Sequence, residues 1–70
     1  MDYVRLVFDA LNNAGTPDAE ARAALYAACR QQVAAQFETS SAKERALADL
    51  EKVIRRQEMQ ALYEESLNAK

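Results

Sequence analysis

The hydrophobic positions of this chain recur every three or four residues, and this spacing predicts α-helices rather than strands. The three predicted helices cover about residues 2–13, 17–37 and 42–67. A loop of only four residues between the second and third makes them antiparallel neighbours. The pattern therefore predicts an all-α fold, a long antiparallel helical hairpin with a short N-terminal helix, in which residues 1–70 form a single small helical domain.

Two polar breaks separate the predicted helices, and each contains residues suited to ending or starting a helix. Gly15 can take the left-handed conformation that closes a helix C-terminus. Thr16 is expected to cap the second helix, with Pro17 at its first position, where no backbone donor is needed. In the second break Ser41 and Glu44 fit a capping box, in which each side chain accepts a hydrogen bond from the other residue's backbone N–H.

The third helix carries two apolar stripes on different faces, although packing within a three-helix domain uses only one. At about 100° per residue, one arc of roughly 120° holds Ala46, Leu47, Leu50, Val53, Ile54 and Ala61. The second stripe lies near the opposite side and consists of Met59, Tyr63 and Leu67, with Leu62 between the two stripes. The first stripe is expected to form core. The second is covered either by the first helix or by a surface of another molecule.

The first helix is apolar over an arc of about 200°, which is wider than one contact requires. A helix of about twelve residues is marginal in water, so packing must hold it in place. Two interpretations stay open. The helix lies in the groove between the two longer helices, or one of its sides, which includes Phe8, contacts another molecule.

The second helix has one apolar face, and a charged residue lies inside it. The apolar positions are Leu25, Tyr26, Cys29, Val33 and Phe37. Arg22 falls within the same arc. We interpret Cys29 as a small core residue rather than a reactive thiol, and we expect the Tyr26 ring in the core with its hydroxyl at the edge.

The composition leaves this domain with few large core-forming side chains, because fifteen of its 70 residues are alanine. A core in a chain of this length rarely contributes more than about 3–5 kcal/mol. A single cysteine excludes an internal disulfide, and the absence of histidine argues against structural zinc. Self-association, or docking onto a larger protein, is the remaining way to add stability.

Charge and chemistry exclude several function classes. The net charge of −2 and a pI near 5.0 argue against non-specific nucleic-acid binding. We expect a cytoplasmic protein, because the chain has neither a signal-peptide pattern nor an apolar run of about 20 residues. Without histidine, a glycine-rich phosphate loop or paired carboxylates, we predict no catalytic, cofactor-binding or metal residues and no enzymatic activity.

A basic face on the third helix is open to three interpretations. It consists of Arg45, Lys52 and Arg56, flanked by Arg55, with Asp49 among them. It is either a solvated face held by pairs with Asp49, a contact patch for an acidic partner, or part of a DNA-binding helix-turn-helix. The last is disfavoured, because a recognition helix is compact and this helix is long and carries acidic residues on the same face.

The order of residues resembles a short helical segment that recurs in alphaproteobacterial, especially rhizobial, proteins of poorly known function. The likeness covers about residues 3–58. It is carried by Ala21-Arg22, Leu25-Tyr26, Arg30, Val33 and Gln36, then by Arg45, Leu47, Leu50-Glu51, Val53-Ile54 and Glu58. Cys29 departs from the alanine expected there. The resemblance implies a bacterial accessory or oligomerisation domain, and no site residues transfer with it.

The function expected from these patterns is protein–protein interaction. Self-association as a homodimeric helical bundle is the leading hypothesis. The alternatives are a monomeric adaptor or regulator that docks on a larger bacterial protein, and a small DNA-binding regulator. The predicted interaction residues are Phe8, Met59, Leu62, Tyr63 and Leu67.

Overall fold

A computed structural model describes residues 2–68, which form three α-helices and no strand. The helices are α1 (Tyr3–Asn13), α2 (Ala19–Ala34) and α3 (Ser40–Asn68). Each helix packs against the other two. The molecule measures 47 × 19 × 19 Å, and its long dimension is close to the length of about 44 Å expected for the 29 residues of α3. The prediction of an all-α fold with a short N-terminal helix is confirmed.

The core is a single cluster to which all three helices contribute. It contains Val7, Tyr26, Cys29, Val33, Ala46, Leu50 and Ile54. The three members from α3 follow each other at intervals of four residues and belong to the first of the two predicted stripes. Periodicity in the sequence therefore identified the buried face of α3.

Cys29 is a buried free thiol, and burial raises its pKa. No helix formed by residues 2–68 is both long and apolar enough to cross a lipid bilayer.

The start of α2 differs from the predicted one. Gly15 adopts the expected left-handed conformation, with φ at +81°. However, the cap is Asp18 and not Thr16, because the Asp18 carboxylate accepts a hydrogen bond from the Ala21 amide at 2.8 Å. Pro17 consequently precedes the cap instead of opening the helix. An aspartate accepts this bond with a full negative charge at the positive end of the helix, which favours it over a threonine.

The loop between α2 and α3 is also displaced. The second helix ends at Ala34 rather than near residue 37, and the third begins at Ser40 rather than near residue 42. The Lys43 amide donates to the Thr39 carbonyl at 3.0 Å, so Ser41 lies inside the first turn and the predicted capping box is wrong. Three consecutive hydroxyl residues, 39–41, offer equivalent caps, and the sequence does not distinguish between them.

Ion pairs between α2 and α3 reveal the relative direction of the two helices. Arg22 pairs with Glu58, and Arg30, eight residues later in the chain, pairs with Glu51, seven residues earlier. This reversed order is the one that an antiparallel helix pair produces.

Candidate protein interaction surface

Four large apolar side chains remain exposed at the C-terminal end of α3. Their exposed fractions are 65% for Met59, 51% for Leu62, 62% for Tyr63 and 54% for Leu67. We call these four residues the α3 apolar surface. The sequence left open whether the first helix or another molecule covers this surface. In the structure the first helix does not cover it.

The exposure follows from the helical phase of α3. The helix keeps the face that includes Leu50 toward α1 and α2, and Met59 and Tyr63 lie about 140–180° around the axis from Leu50. Beyond the buried Ile54, the inward positions become polar or small, at Gln57 and Ala61, and both are only partly buried. Beyond Ile54 the inward face of α3 therefore adds no further buried residue to the core within residues 2–68, while the outward face becomes apolar.

The structure places Phe8 apart from Met59. Phe8 is half-exposed and borders the cleft between the α1–α2 loop and α3, together with Ala61. Met59 borders a different groove, between α2 and α3, together with Ala23. Phe8 and Met59 therefore do not line a common groove, and the five predicted interaction residues divide between two regions.

Arg22 is buried beneath this end of the molecule, and all five of its N–H groups donate hydrogen bonds. Nε and Nη2 donate to the two oxygens of Glu58 at 2.9 and 3.0 Å. Nη1 and Nη2 donate to those of Glu65 at 2.9 and 3.1 Å, and Nη1 also donates to the Pro17 carbonyl at 3.0 Å. These bonds, which we call the Arg22 clamp, tie the C-terminal half of α3 to the start of α2.

The Arg22 clamp was not predicted, although two signals for it were present in the sequence. Arg22 occupies a position on the apolar face of α2, where a charged residue needs a buried partner. Glu58 and Glu65 are seven residues apart, which places both on one face of α3. Neither signal shows that Arg22 pairs with these two glutamates, because Glu58 and Glu65 lie 36 and 43 positions further along the chain.

Charge and burial shift three pKa values at the clamp. Hydrogen bonds to Glu58 and Glu65 raise the pKa of Arg22. The Arg22 guanidinium lowers the pKa of Glu58, and partial burial of that carboxyl opposes the change. Burial raises the pKa of Tyr26 to about 12, and the nearby Glu58 carboxylate adds to the rise. The Tyr26 hydroxyl is itself buried and has no hydrogen-bond partner within residues 2–68.

Replacement of Tyr26 by phenylalanine tests the buried hydroxyl. Tyr26→Phe keeps the ring and removes a buried polar group without a partner, so the free energy of unfolding should stay unchanged or rise by up to about 1 kcal/mol. Urea denaturation followed by circular dichroism measures this. Tyr26→Ala is the matched control and should lose about 3–5 kcal/mol, because it removes the ring. A loss above about 1 kcal/mol in Tyr26→Phe would mean that the hydroxyl bonds to Glu58 in solution.

The basic face of α3 lies N-terminal to the α3 apolar surface and is exposed. Within residues 2–68, the expected pairs with Asp49 do not form, and the ion pairs engage Arg5, Arg22 and Arg30 instead. The four side chains of the basic face are Arg45, Lys52, Arg55 and Arg56. They therefore keep their positive charge available. No three Cys, Asp or Glu side chains in this part of the chain come together as a possible metal site.

The chain matches no protein-family model, no curated protein and no solved structure. The resemblance to the alphaproteobacterial segment, and the accessory role that it implies, therefore stay predictions.

Proposed function

We propose that this chain is a protein–protein interaction module that self-associates through the α3 apolar surface. The observation that carries the proposal is the exposure of four large apolar side chains at one end of a single helix. Contiguous apolar surface of this kind on a soluble domain typically marks a site of association. Tyrosine and methionine are also among the residues enriched at such interfaces.

The energy available from this surface is significant beside that of the core. Burial of a few hundred Å² of apolar area, at roughly 25 cal/mol per Å², contributes several kcal/mol before the costs of association. Among residues 2–68 the core has seven buried hydrophobic residues, and one of them is an alanine. The interface would be smaller than the roughly 1,200 Å² of most stable complexes, so we expect a weak dimer with a micromolar dissociation constant.

A second candidate function is docking on a different protein through the same surface. The observation that favours it is the unpaired basic face beside the α3 apolar surface, which would suit a partner with both apolar and acidic residues. A protein of this kind would remain monomeric by itself and form a complex only when the partner is added.

Self-association predicts that the thermal midpoint rises with protein concentration, because dissociation accompanies unfolding. We expect a rise of several degrees between about 5 and 500 μM, measured by circular dichroism, since each 1 kcal/mol shifts the midpoint of so small a domain by about 4–8 °C. Sedimentation equilibrium over the same range should show a monomer–dimer equilibrium. A chain that stays monomeric at about 500 μM would leave docking on another protein as the better proposal.

Truncation of single exposed side chains is the control for this prediction. Tyr63→Ala and Met59→Ala should each weaken dimerisation at least about tenfold while the monomer keeps its stability. Val4→Ala is the matched variant, because Val4 is also about half-exposed but lies on α1, and it should leave dimerisation unchanged. If Tyr63→Ala unfolds the monomer, that residue belongs to the core of the fold instead.

A further inference from the structure

We infer that two copies of the chain pair antiparallel along α3, with Tyr63 of each copy at the two-fold axis. The inference rests on the proposed self-association and adds the orientation and register of the two helices. It follows from how charge and apolar area are distributed along the outward face of α3.

The outward face of α3 has two halves of different chemistry. Basic side chains occupy the N-terminal half and end at Arg56, and the apolar surface begins three residues later, at Met59. Lys52, Arg55 and Arg56 are all exposed and border the same shallow surface groove as Met59. Any helix that lies along the apolar half therefore either extends over the basic half or points away from it.

Parallel pairing in register would bring the two basic halves together. Helices in contact lie about 8–10 Å apart, so Lys52 and Arg56 would each lie beside their own copies. Asp49 lies among these side chains but forms no ion pair with them within residues 2–68, and the four basic residues outnumber it. Like charges at this distance are destabilising, and this orientation is disfavoured.

Antiparallel pairing about Tyr63 separates the basic halves. Met59 then faces Leu67 of the second copy, because each lies four residues from Tyr63. The two copies of Arg56 are about 21 Å apart along the axis, which is more than twice the screening length at physiological salt.

The Arg22 clamp is compatible with this pairing. Glu58 and Glu65 project about 140–160° around α3 from Tyr63, so the contact with a second copy leaves their bonds to Arg22 undisturbed. The clamp also holds α3 against α2 as far as Glu65, which keeps the outward face in one orientation for pairing.

Disulfide cross-linking of single-cysteine substitutions tests the register. Truncation of Tyr63 itself weakens dimerisation, so the protein concentration is kept above the variant's own dissociation constant. Under mild oxidation Tyr63→Cys should then form a disulfide-linked dimer. Met59→Cys alone, or Leu67→Cys alone, should cross-link poorly, because the two equivalent cysteines of a dimer are about 12 Å apart along the axis. An equimolar mixture of the two variants should instead give a mixed disulfide-linked dimer. The native chain is the control, because Cys29 is buried. Efficient cross-linking of both variants with themselves would overturn the inference in favour of parallel pairing.

Spin labels outside the contact provide a second measurement that leaves the interface intact. A label on Lys52→Cys should give a distance of roughly 30 Å or more between copies in the antiparallel dimer, because Lys52 lies eleven residues from Tyr63. A distance below about 20 Å would overturn the register. A native chain that sediments only as a monomer would reject self-association itself, whereas a dimer with the wrong distances or cross-links would reject the register alone.

Discussion

Leu50→Ala is expected to lower the free energy of unfolding by about 2–5 kcal/mol, the range for truncation of a buried leucine. Leu50 is fully buried in the core cluster, along with Val7 and Val33. A core in a domain of this size contributes only about 3–5 kcal/mol in total. The variant should therefore be largely unfolded at room temperature, and its helical circular dichroism at 222 nm should fall well below that of the native chain.

The matched control for Leu50→Ala is the same substitution in the same helix at an exposed position. Leu62→Ala should change the free energy of unfolding by less than about 1 kcal/mol, because surface substitutions usually have small effects. Both variants are measured by urea denaturation at a low concentration, where the native chain is monomeric. Equal losses in the two variants would mean that Leu62 is also part of the monomer's core.

Arg22→Ala is expected to cost about 2–3 kcal/mol at pH 7. Removal of one partner from a buried ion pair costs about 3–5 kcal/mol, but here the carboxylates regain water, because the exposed fractions of their side chains are 29% for Glu58 and 49% for Glu65. The variant also leaves the two carboxylates side by side without a cation. Urea denaturation at pH 7 measures the loss.

The cost of Arg22→Ala should shrink in acid. In the native chain Arg22 lowers the pKa of Glu58, so its stabilising effect is complete above the ordinary glutamate pKa of 4.5 and is lost as the pH falls through the lowered value. Protonation also relieves the repulsion between the carboxylates of the variant. The difference in unfolding free energy between native chain and variant should therefore be smaller at pH 3 than at pH 7.

Arg30→Ala is the matched control for Arg22→Ala. Arg30 also binds a glutamate of α3, at 2.7 Å from Glu51, but both of these side chains are about 40% exposed. A pair with this exposure contributes at most about 1 kcal/mol, so Arg30→Ala should cost less than that. Two results would contradict a special role for the Arg22 clamp. One is an equal loss of unfolding free energy in Arg30→Ala and Arg22→Ala, and the other is a cost of Arg22→Ala that is the same at pH 3 and pH 7.

Local chemistry limits how accurately the helix ends are predicted. Gly15 was identified because a left-handed turn favours glycine over all other residues. The start of α3 was misplaced because several residues in succession are suitable caps. Asp18 was similarly overlooked as a cap because Thr16 and Pro17 also form a plausible helix start.

The sequence by itself determined the three helices, the absence of strands among residues 2–68, and the face of α3 that carries Leu50 and Ile54, because these depend on spacing within one helix. The tertiary structure decided which side of α3 the first helix covers, and therefore that Tyr63 stays exposed. It also decided that Arg22 meets Glu58 and Glu65, because the axial offset between α2 and α3 depends on packing across the whole domain. Periodicity describes each helix about its own axis and carries no information about how one helix is placed against another.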